Sequence, residues 1–129
     1  NNMRAGDRYY MVAYVDDVLV GYGGLMFNGD DAHVSNVAVD PEYQQRGVAT
    51  EILLDLANLC RDRGCKTMTL EVRHTNTAAQ NLYRRFGFVP AGVRKRYYEN
   101  KDDAIIMWAH DIDGEGFGER LREIEERRS

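Results

Sequence analysis

The sequence has few cysteines, no long apolar run and no excess of basic residues. Cys60 and Cys65 are the only two cysteines among 129 residues. They are too few for a disulfide framework and their spacing matches no metal motif, so we assign no metal. The longest apolar run, Ala104 to Ala109, is too short to span a bilayer, and we expect no membrane partner. The net charge of −4 argues against a nucleic-acid partner, and no signal peptide is recognisable, which favours a cytoplasmic location.

The rest of the composition is typical of one globular domain. The chain is 43% hydrophobic and 29% charged, and its length suits a single domain with one sizeable core. We expect this domain to span residues 1–110. Residues 111–129 form an acidic tail interrupted by glycines, within which Glu119 to Arg128 could form a surface helix.

The order of apolar patterns predicts an α/β fold with a mixed sheet. The first three strands have connections too short for crossovers, which predicts an antiparallel meander. Glycines within the second strand indicate a bulge or bend. The next strand, helix and strand should form a right-handed parallel crossover. In order, the predicted elements are strands Tyr9–Val15, Val18–Phe27 and Ala32–Val39, helix Val48–Arg63, strand Cys65–Val72, helix Thr77–Phe86, and strands Phe88–Val93 and Ala104–Ala109.

A glycine-containing turn, Gln44 to Ala49, lies between the third strand and the first helix. The first N–H groups of a helix have no intrahelical partners and attract anions. Gly47 would let the backbone approach a ligand closely, and Arg46 could add a contact to a phosphate. An ordinary loop remains an alternative, because the turn lacks the lysine of a nucleotide-binding P-loop and the glycine pattern of a dinucleotide fold.

Glu71 lies between Leu70 and Val72 near the end of a strand. A carboxylate among buried neighbours binds a proton more readily than one in water, which suits a general base. The alternative is a structural ion pair with Arg73 or Lys66.

Tyr83 follows Asn76 by two helical turns, so both lie on roughly one face of the predicted helix. Asn76 is a favourable N-cap residue. A phenol, with an ordinary pKa of about 10, can donate a proton to a departing thiolate, although a tyrosine on a short helix more often serves packing. The three histidines are scattered, and only His74 lies close enough in sequence to influence Glu71.

The order and spacing of these motifs resemble the GNAT superfamily of N-acetyltransferases over about residues 9–109. The matching motifs are SNVAV, Asp-Pro-Glu-Tyr, Gln-x-x-Gly-x-Ala, LEVR and Asn-x-x-Ala-x-x-x-Tyr-x-x-x-Gly-Phe. Within the superfamily, the stretch from Asn36 to Met107 is similar to the RimI-type ribosomal-protein alanine N-acetyltransferases. Members usually have one further strand and two helices before the segment that begins this sequence. We therefore expect the cofactor site to be retained and the acceptor site to be less complete.

The resemblance implies that acetyl-coenzyme A (acetyl-CoA) binds where two neighbouring parallel strands splay apart. The general base would be Glu71 and the general acid Tyr83, and Asn76 would contact the cofactor near its thioester. The backbone groups expected to pair with the pantetheine arm belong to Val37, Ala38 and Val39. Those expected to bind the pyrophosphate belong to Gln45, Arg46, Gly47, Val48, Ala49 and Thr50.

The implied reaction is transfer of acetyl to the N-terminal α-amine of a protein, in particular a ribosomal protein beginning with alanine. Tyr97 and Tyr98, in a polar loop beside the cleft, would hold the acceptor peptide. The amine would attack directly, so neither cysteine is expected to act as a nucleophile. Acetylation of lysine or of a small amine, and a CoA-binding module without turnover, remain alternatives.

Overall fold

The computed structural model describes residues 7–98 and 102–128, which form a mixed six-stranded sheet and three α-helices. The strand order across the sheet is β1-β2-β3-β4-β6-β5. The elements are β1 (Asp7–Val15), β2 (Val18–Asn28), β3 (Asp31–Val39), a 3₁₀ turn (Pro41–Tyr43), α1 (Val48–Asp62), β4 (Thr67–Arg73), α2 (Thr77–Arg85), β5 (Val89–Tyr98), β6 (Asp102–His110) and α3 (Glu115–Arg128).

The predicted topology is confirmed. β1, β2 and β3 pair antiparallel as a meander. β3 and β4 are parallel neighbours joined through α1, and β6 pairs antiparallel with both β4 and β5. No helix within the described ranges is long and apolar enough to cross a membrane.

One extra residue in β3 opens the middle of the sheet. Gly24 of β2 is opposite Asn36, and Leu25 is opposite Val34, so Ser35 is inserted without a partner. A Cβ on Gly24 would lie 2.6 Å from the Ser35 hydroxyl oxygen and 3.0 Å from the Tyr10 ring, so a side chain at this position would displace its neighbours. Bulges bend a strand and increase its twist. This bulge is not in the strand where the glycines of β2 predicted a bend, because the extra residue opposite Gly24 and Leu25 lies in β3. The extra residue of β2 itself is Val20, between the pairs Ala13–Gly21 and Tyr14–Leu19.

Pairing between β3 and β4 ends just before the bulge. It covers only Asp31–His33 of β3 against Thr67–Thr69 of β4. Beyond these residues, the two parallel strands diverge, and the edge of β3 that faces β4 has no strand partner within the described residues.

The core lies between the sheet and the helices. Burial alternates strictly along β4. Met68, Leu70 and Val72 are buried on one face, whereas Glu71 and the other residues of the opposite face are half-buried. The predicted apolar stripe of α1 is buried at Leu53, Leu56, Ala57 and Cys60, and Ala49 is half-buried. The helix therefore presents its apolar side to the sheet and its first turn to the divergence of β3 and β4.

The C-terminal helix is longer than predicted. It begins at Glu115 rather than Glu119 and packs against the core through Phe117 and Leu121, which are 8% and 3% exposed. Ile124 extends the same apolar stripe at helical spacing. The acidic composition of the segment hides this stripe in the sequence.

Tyr97 and Tyr98 lie on a strand, not in the predicted loop. β5 continues to Tyr98, five residues past the predicted end at Val93. An irregular hairpin makes this possible, because Arg96 has a φ of 53° and its N–H donates to the Asp103 carboxylate at 2.9 Å. That bond, with Lys95, lowers the pKa of Asp103. The prediction treated this polar stretch as a loop because it lacks apolar alternation.

Candidate active site

A cavity of about 390 Å³ lies where β3 and β4 diverge. β3 contributes Asn36 and Val37 to its wall, β4 contributes Glu71, and α2 contributes Asn76 and Tyr83. The bulge and the short parallel pairing therefore bring a carboxylate and a phenol, 12 positions apart in the sequence, to the same cleft.

Glu71 is poorly exposed and ion-paired. Its side chain is 14% exposed, and its carboxylate lies 2.6 Å from Nε of Arg94 on β5. Neither of the two partners considered from the sequence provides this contact: Arg73 pairs with Asp102 at 2.7 Å instead. Glu71 thus lies at the cavity wall in an ion pair with the Arg94 guanidinium.

The ion pair of His74 is with Asp102 rather than with Glu71. Its Nε2 lies 3.8 Å from the Asp102 carboxylate. His33 bonds through Nδ1 to the Thr69 hydroxyl at 2.9 Å and lines the cavity. Within residues 7–98 and 102–128, no group of three histidine, cysteine or acidic residues could hold a metal ion.

Tyr83 is placed by the short helix α2. Asn76 caps this helix, as the sequence predicts, and its Oδ1 accepts from the Ala79 N–H at 3.1 Å. Tyr83 is 8% exposed, and its ring lies against Phe88 with centroids 6.0 Å apart. Packing therefore holds the Tyr83 ring in place, and the side chain also lines the cavity.

A second cavity continues from the first to the start of α1. The two share Val37, Asn76, Ala79 and Tyr83. Together they form one path along the unpaired edge of β3, and its far end is lined by Gln45, Gly47, Ala49 and Thr50.

The start of α1 is suited to an anion. Gly47 is the N-cap with a φ of 85° and provides no capping side chain, so the first N–H groups of the helix are not satisfied by a side-chain cap. Gln45 also has a positive φ of 64°. The Gln44 side chain donates to the Val39 carbonyl at 3.2 Å, which holds the turn against β3. Successive N–H groups in such a turn form an anion-binding concavity.

The side chains of three other predicted cofactor residues do not line either cavity. The Arg46 guanidinium lies 5.3 Å from the centre of the Tyr43 ring, and the Arg46 side chain is outside both cavity walls. Val48 is buried. Ala38 lines a separate depression formed with β2. Only the backbone groups of these residues can contribute to the path.

Tyr97 and Tyr98, the two predicted acceptor residues, both lie at the end of β5. Tyr97 lines the first cavity and is 46% exposed. Arg94, the partner of Glu71, lies over its ring at 5.1 Å. Tyr98 ends β5, but its side chain lies outside the described part of the structure.

The sequence reasoning missed two arginines of the site. Arg94 reaches Glu71 only because β6 lies between β4 and β5, and no local pattern reveals that order. Arg85 donates to the Thr50 hydroxyl at 3.2 Å and so lies beside the first turn of α1. Its position at the C-terminal end of the short helix α2, two residues after Tyr83, was only a weak indication in the sequence.

The two cysteines are unsuited to nucleophilic catalysis. Both are fully buried. Burial, and then the neighbouring thiol, raises the pKa of Cys60, and burial raises the pKa of Cys65. Thiols with raised pKa values carry little thiolate at neutral pH.

The residues present fit an extended ligand with amide groups and a diphosphate. An unpaired strand edge offers alternating N–H and C=O groups to amides, and the first turn of α1 offers N–H groups to phosphate. Acetyl-CoA has both features in this order, with its thioester at the amide-bearing end.

Comparison with known proteins gives the same assignment. The family model described as acetyltransferase (GNAT) matches residues 1–88. A Bacillus subtilis relative is 40% identical over 101 residues, 78% of this chain and 67% of the relative. A Salmonella typhimurium protein named as a ribosomal protein bS18-alanine N-acetyltransferase is 38% identical over 106 residues, 79% of this chain and 72% of the relative. The crystal structure of the Escherichia coli ribosomal-protein-S18-alanine N-acetyltransferase superposes with a TM-score of 0.75 at 33% identity, covering 81% of this chain and 69% of that one.

Because Gly47 has a left-handed backbone conformation, we expect alanine to affect stability differently at Gly47 and at a glycine within a helix. Gly47→Ala should lower the free energy of unfolding by about 1–2 kcal/mol, because a Cβ is disfavoured at positive φ. Gly116→Ala is the matched control: Gly116 lies within α3, and a Cβ at either position meets no atom within 4 Å. Alanine should be neutral or stabilising there. Urea denaturation measures both, and equal effects at the two positions would contradict the described turn.

Proposed function

Because the chain belongs to the acetyltransferase (GNAT) family, we propose that it acetylates the N-terminal α-amine of a ribosomal protein that begins with alanine. Acetyl-CoA is the acetyl donor of this family and therefore the cosubstrate. The named activity of the Salmonella relative supports the choice of acceptor.

The continuous path along the unpaired edge of β3 carries the proposal. One end has uncapped helix N–H groups, and the other has Glu71 and Tyr83. An anchored diphosphate would place the opposite end of the donor in the cavity that Glu71 and Tyr83 line. A binding module without turnover would need only the first of these two ends.

We assign donor binding to the residues along this path. In the proposal, the backbone of Val37, Ala38 and Val39 pairs with the amides of the pantetheine arm, and Asn76 lies near the thioester. The turn and first helical residues bind the diphosphate, namely Gln45, Arg46, Gly47, Val48, Ala49 and Thr50. Arg46 contributes its N–H in this assignment, since its guanidinium lies over Tyr43.

Proton transfers frame the proposed reaction. Glu71, directly or through a water, accepts a proton from the acceptor ammonium, whose ordinary pKa is about 8. The free amine attacks the acetyl carbonyl, so a C–N bond forms without a covalent bond to the enzyme. An N–H near Val37 would stabilise the negative charge on the carbonyl oxygen, an effect typically worth about 3 kcal/mol. Tyr83 donates a proton to the sulfur as the C–S bond breaks. The nitrogen, which becomes positively charged on attack, releases its second proton to the Tyr83 phenolate, directly or through a water, as the amide forms.

The acceptor would enter beside Tyr97. This side chain lines the cavity that holds Glu71 and is partly open to solvent, so it can contact a peptide next to the amine. Tyr98 is retained as a second acceptor contact in the proposal.

The acceptor class is tested by a screen that differs only in the position of the free amine. A peptide beginning with alanine and containing an internal lysine should release free CoA thiol. The same peptide with an acetylated N-terminus should not, because only its lysine amine remains. Polyamines and aminoglycoside-like amines form the third arm. Preference for the blocked peptide or for a small amine would overturn the proposed acceptor, and binding of acetyl-CoA without thiol release from any arm would overturn the enzymatic role.

Tyr83→Phe tests the proton donor. The ring and its packing against Phe88 are retained, so acetyl-CoA affinity should change little, while turnover should fall by roughly 10²–10⁴-fold if proton donation limits the rate. Tyr14→Phe, at an exposed position on β1, should leave turnover unchanged. Wild-type turnover in Tyr83→Phe would remove this residue from the mechanism.

Glu71→Gln and Arg94→Gln separate a catalytic carboxylate from a structural ion pair. Glu71→Gln should lower kcat and flatten the acidic limb of its pH profile, because no carboxylate remains to titrate. Arg94→Gln removes the ion pair but keeps the carboxylate, so kcat should fall less than in Glu71→Gln. A limb that persists unchanged in Glu71→Gln, or an equal and pH-independent loss in both variants, would assign Glu71 a structural role.

A further inference from the structure

A third cavity, which we call the arginine pocket, lies beyond the start of α1. The residues that define it are Gln45, Gly47, Thr50, Arg85, Arg120 and Arg127. The first four of these residues also line the second cavity, whereas the two arginines of α3 line only the arginine pocket. The path that begins between Glu71 and Tyr83 therefore continues past the helix N-terminus and ends against α3.

Helical spacing directs Arg120 and Arg127 into this pocket. They are seven residues apart, two turns of α3, and so share one face of the helix. Phe117 and Leu121 on the adjoining face are buried in the core. The position of the arginine backbone is thus set by apolar packing rather than by the pocket itself.

The pocket is basic in a chain that is acidic overall. Glu123 is the acidic residue of its lining, against Arg85, Arg120 and Arg127. Arg128 also borders it but lies 3.6 Å from the carboxylates of both Glu51 and Glu125. The net charge of the whole chain is −4, so this local excess of positive charge does not follow from composition.

The pocket retains donors for a ligand. Arg120 donates one N–H to the Arg85 carbonyl at 3.2 Å, and Arg85 donates one to Thr50 at 3.2 Å. A guanidinium has five N–H donors, so each keeps others. Planar guanidinium groups bind phosphate through paired, charge-assisted hydrogen bonds.

We propose that the arginine pocket binds the 3′-phosphate of CoA, with Arg127 and Arg120 as the α3 contacts and Arg85 between them and α1. This inference rests on the proposed function. Beyond its diphosphate, CoA continues into a ribose that carries a 3′-phosphate. A diphosphate on the first turn of α1 directs that phosphate along the path toward α3. The C-terminal helix, which lies beyond the family match at residues 1–88, thereby becomes part of the donor site.

Arg127 offers the sharpest variant. Arg120 also contacts the end of α2 through the Arg85 carbonyl and packs over Gly87, so its removal would affect folding. Arg122 is the matched control on the same helix: it is exposed, pairs with Glu119 at 2.8 Å, and does not line the pocket.

The test is a titration of the full chain with acetyl-CoA and with acetyl-3′-dephospho-CoA, which differ only in the phosphate. Wild type should bind acetyl-CoA about 10–100-fold more tightly, as expected for charge-assisted bonds to a phosphate. Arg127→Ala should lose about tenfold for acetyl-CoA and little for the dephospho form. Arg122→Ala should match wild type with both.

The outcomes separate this inference from the proposed function. Equal affinity of wild type for the two ligands would overturn the arginine pocket while acetyl transfer stands, and this comparison needs no variant to fold. Equal losses for both ligands in Arg127→Ala, with an unchanged thermal unfolding midpoint, would also overturn it. Failure of wild type to bind either ligand, with no thiol release, would overturn the proposed function itself. Arg127→Gln repeats the test if Arg127→Ala unfolds at a lower temperature.

Discussion

The inserted residue Ser35 is the constraint on which the site depends. It bends β3 immediately after the three residues that pair with β4. If the parallel pairing of β3 and β4 continued, it would occupy the backbone N–H and C=O groups on the edge of β3. It would also close the cleft that Glu71 and Tyr83 line. A strand edge left open carries unpaired N–H and C=O groups that need partners. An amide-bearing ligand can supply them, so the same defect that interrupts the sheet also creates its binding edge. Gly24 on the neighbouring strand leaves space for the Ser35 side chain, which a Cβ there would have to displace.

Local geometry, rather than net charge, determines where an anion can bind. The chain carries a net charge of −4, yet the start of α1 combines two positive-φ residues, Gln45 and Gly47, with helix N–H groups that no side chain of the N-cap satisfies. Positive φ at a non-glycine residue such as Gln45 is costly, and the Gln44 bond to the Val39 carbonyl helps to hold the turn. The electrostatic character of the cleft therefore comes from backbone orientation, with arginines added at its far end.

Sequence patterns predicted what depends on neighbours in the chain and missed what depends on the order of strands. The meander, the α1 stripe and the Asn76 cap follow from periodicity and short connections, and all are present. The Glu71–Arg94 pair requires β6 between β4 and β5, and no local pattern contains that order. Tyr97 was predicted in a loop because the strand around it is polar and held by a side chain, Asp103. The apolar stripe of α3 has only three residues, Phe117, Leu121 and Ile124, within an acidic segment. That Glu71 and Tyr83 line one cavity was expected from the resemblance to the GNAT superfamily, whereas their catalytic roles are proposals.

The C-terminal segment contacts α1 near both ends of that helix. Near the start of the helix, Glu51 pairs with Arg128 at 3.6 Å. Near its end, Arg61 donates to the carbonyls of Ile112 and Gly114 at 2.6 and 2.7 Å. The surface ion pair contributes little energy by itself, but the bonds from Arg61 and the buried Ile112 fix the segment against the core. A shift of α1 against the C-terminal segment would break one of these sets of contacts. Preorganisation of binding groups in this way lowers the entropic cost of holding a ligand, and it couples a segment of acidic composition to the placement of the acetyl donor.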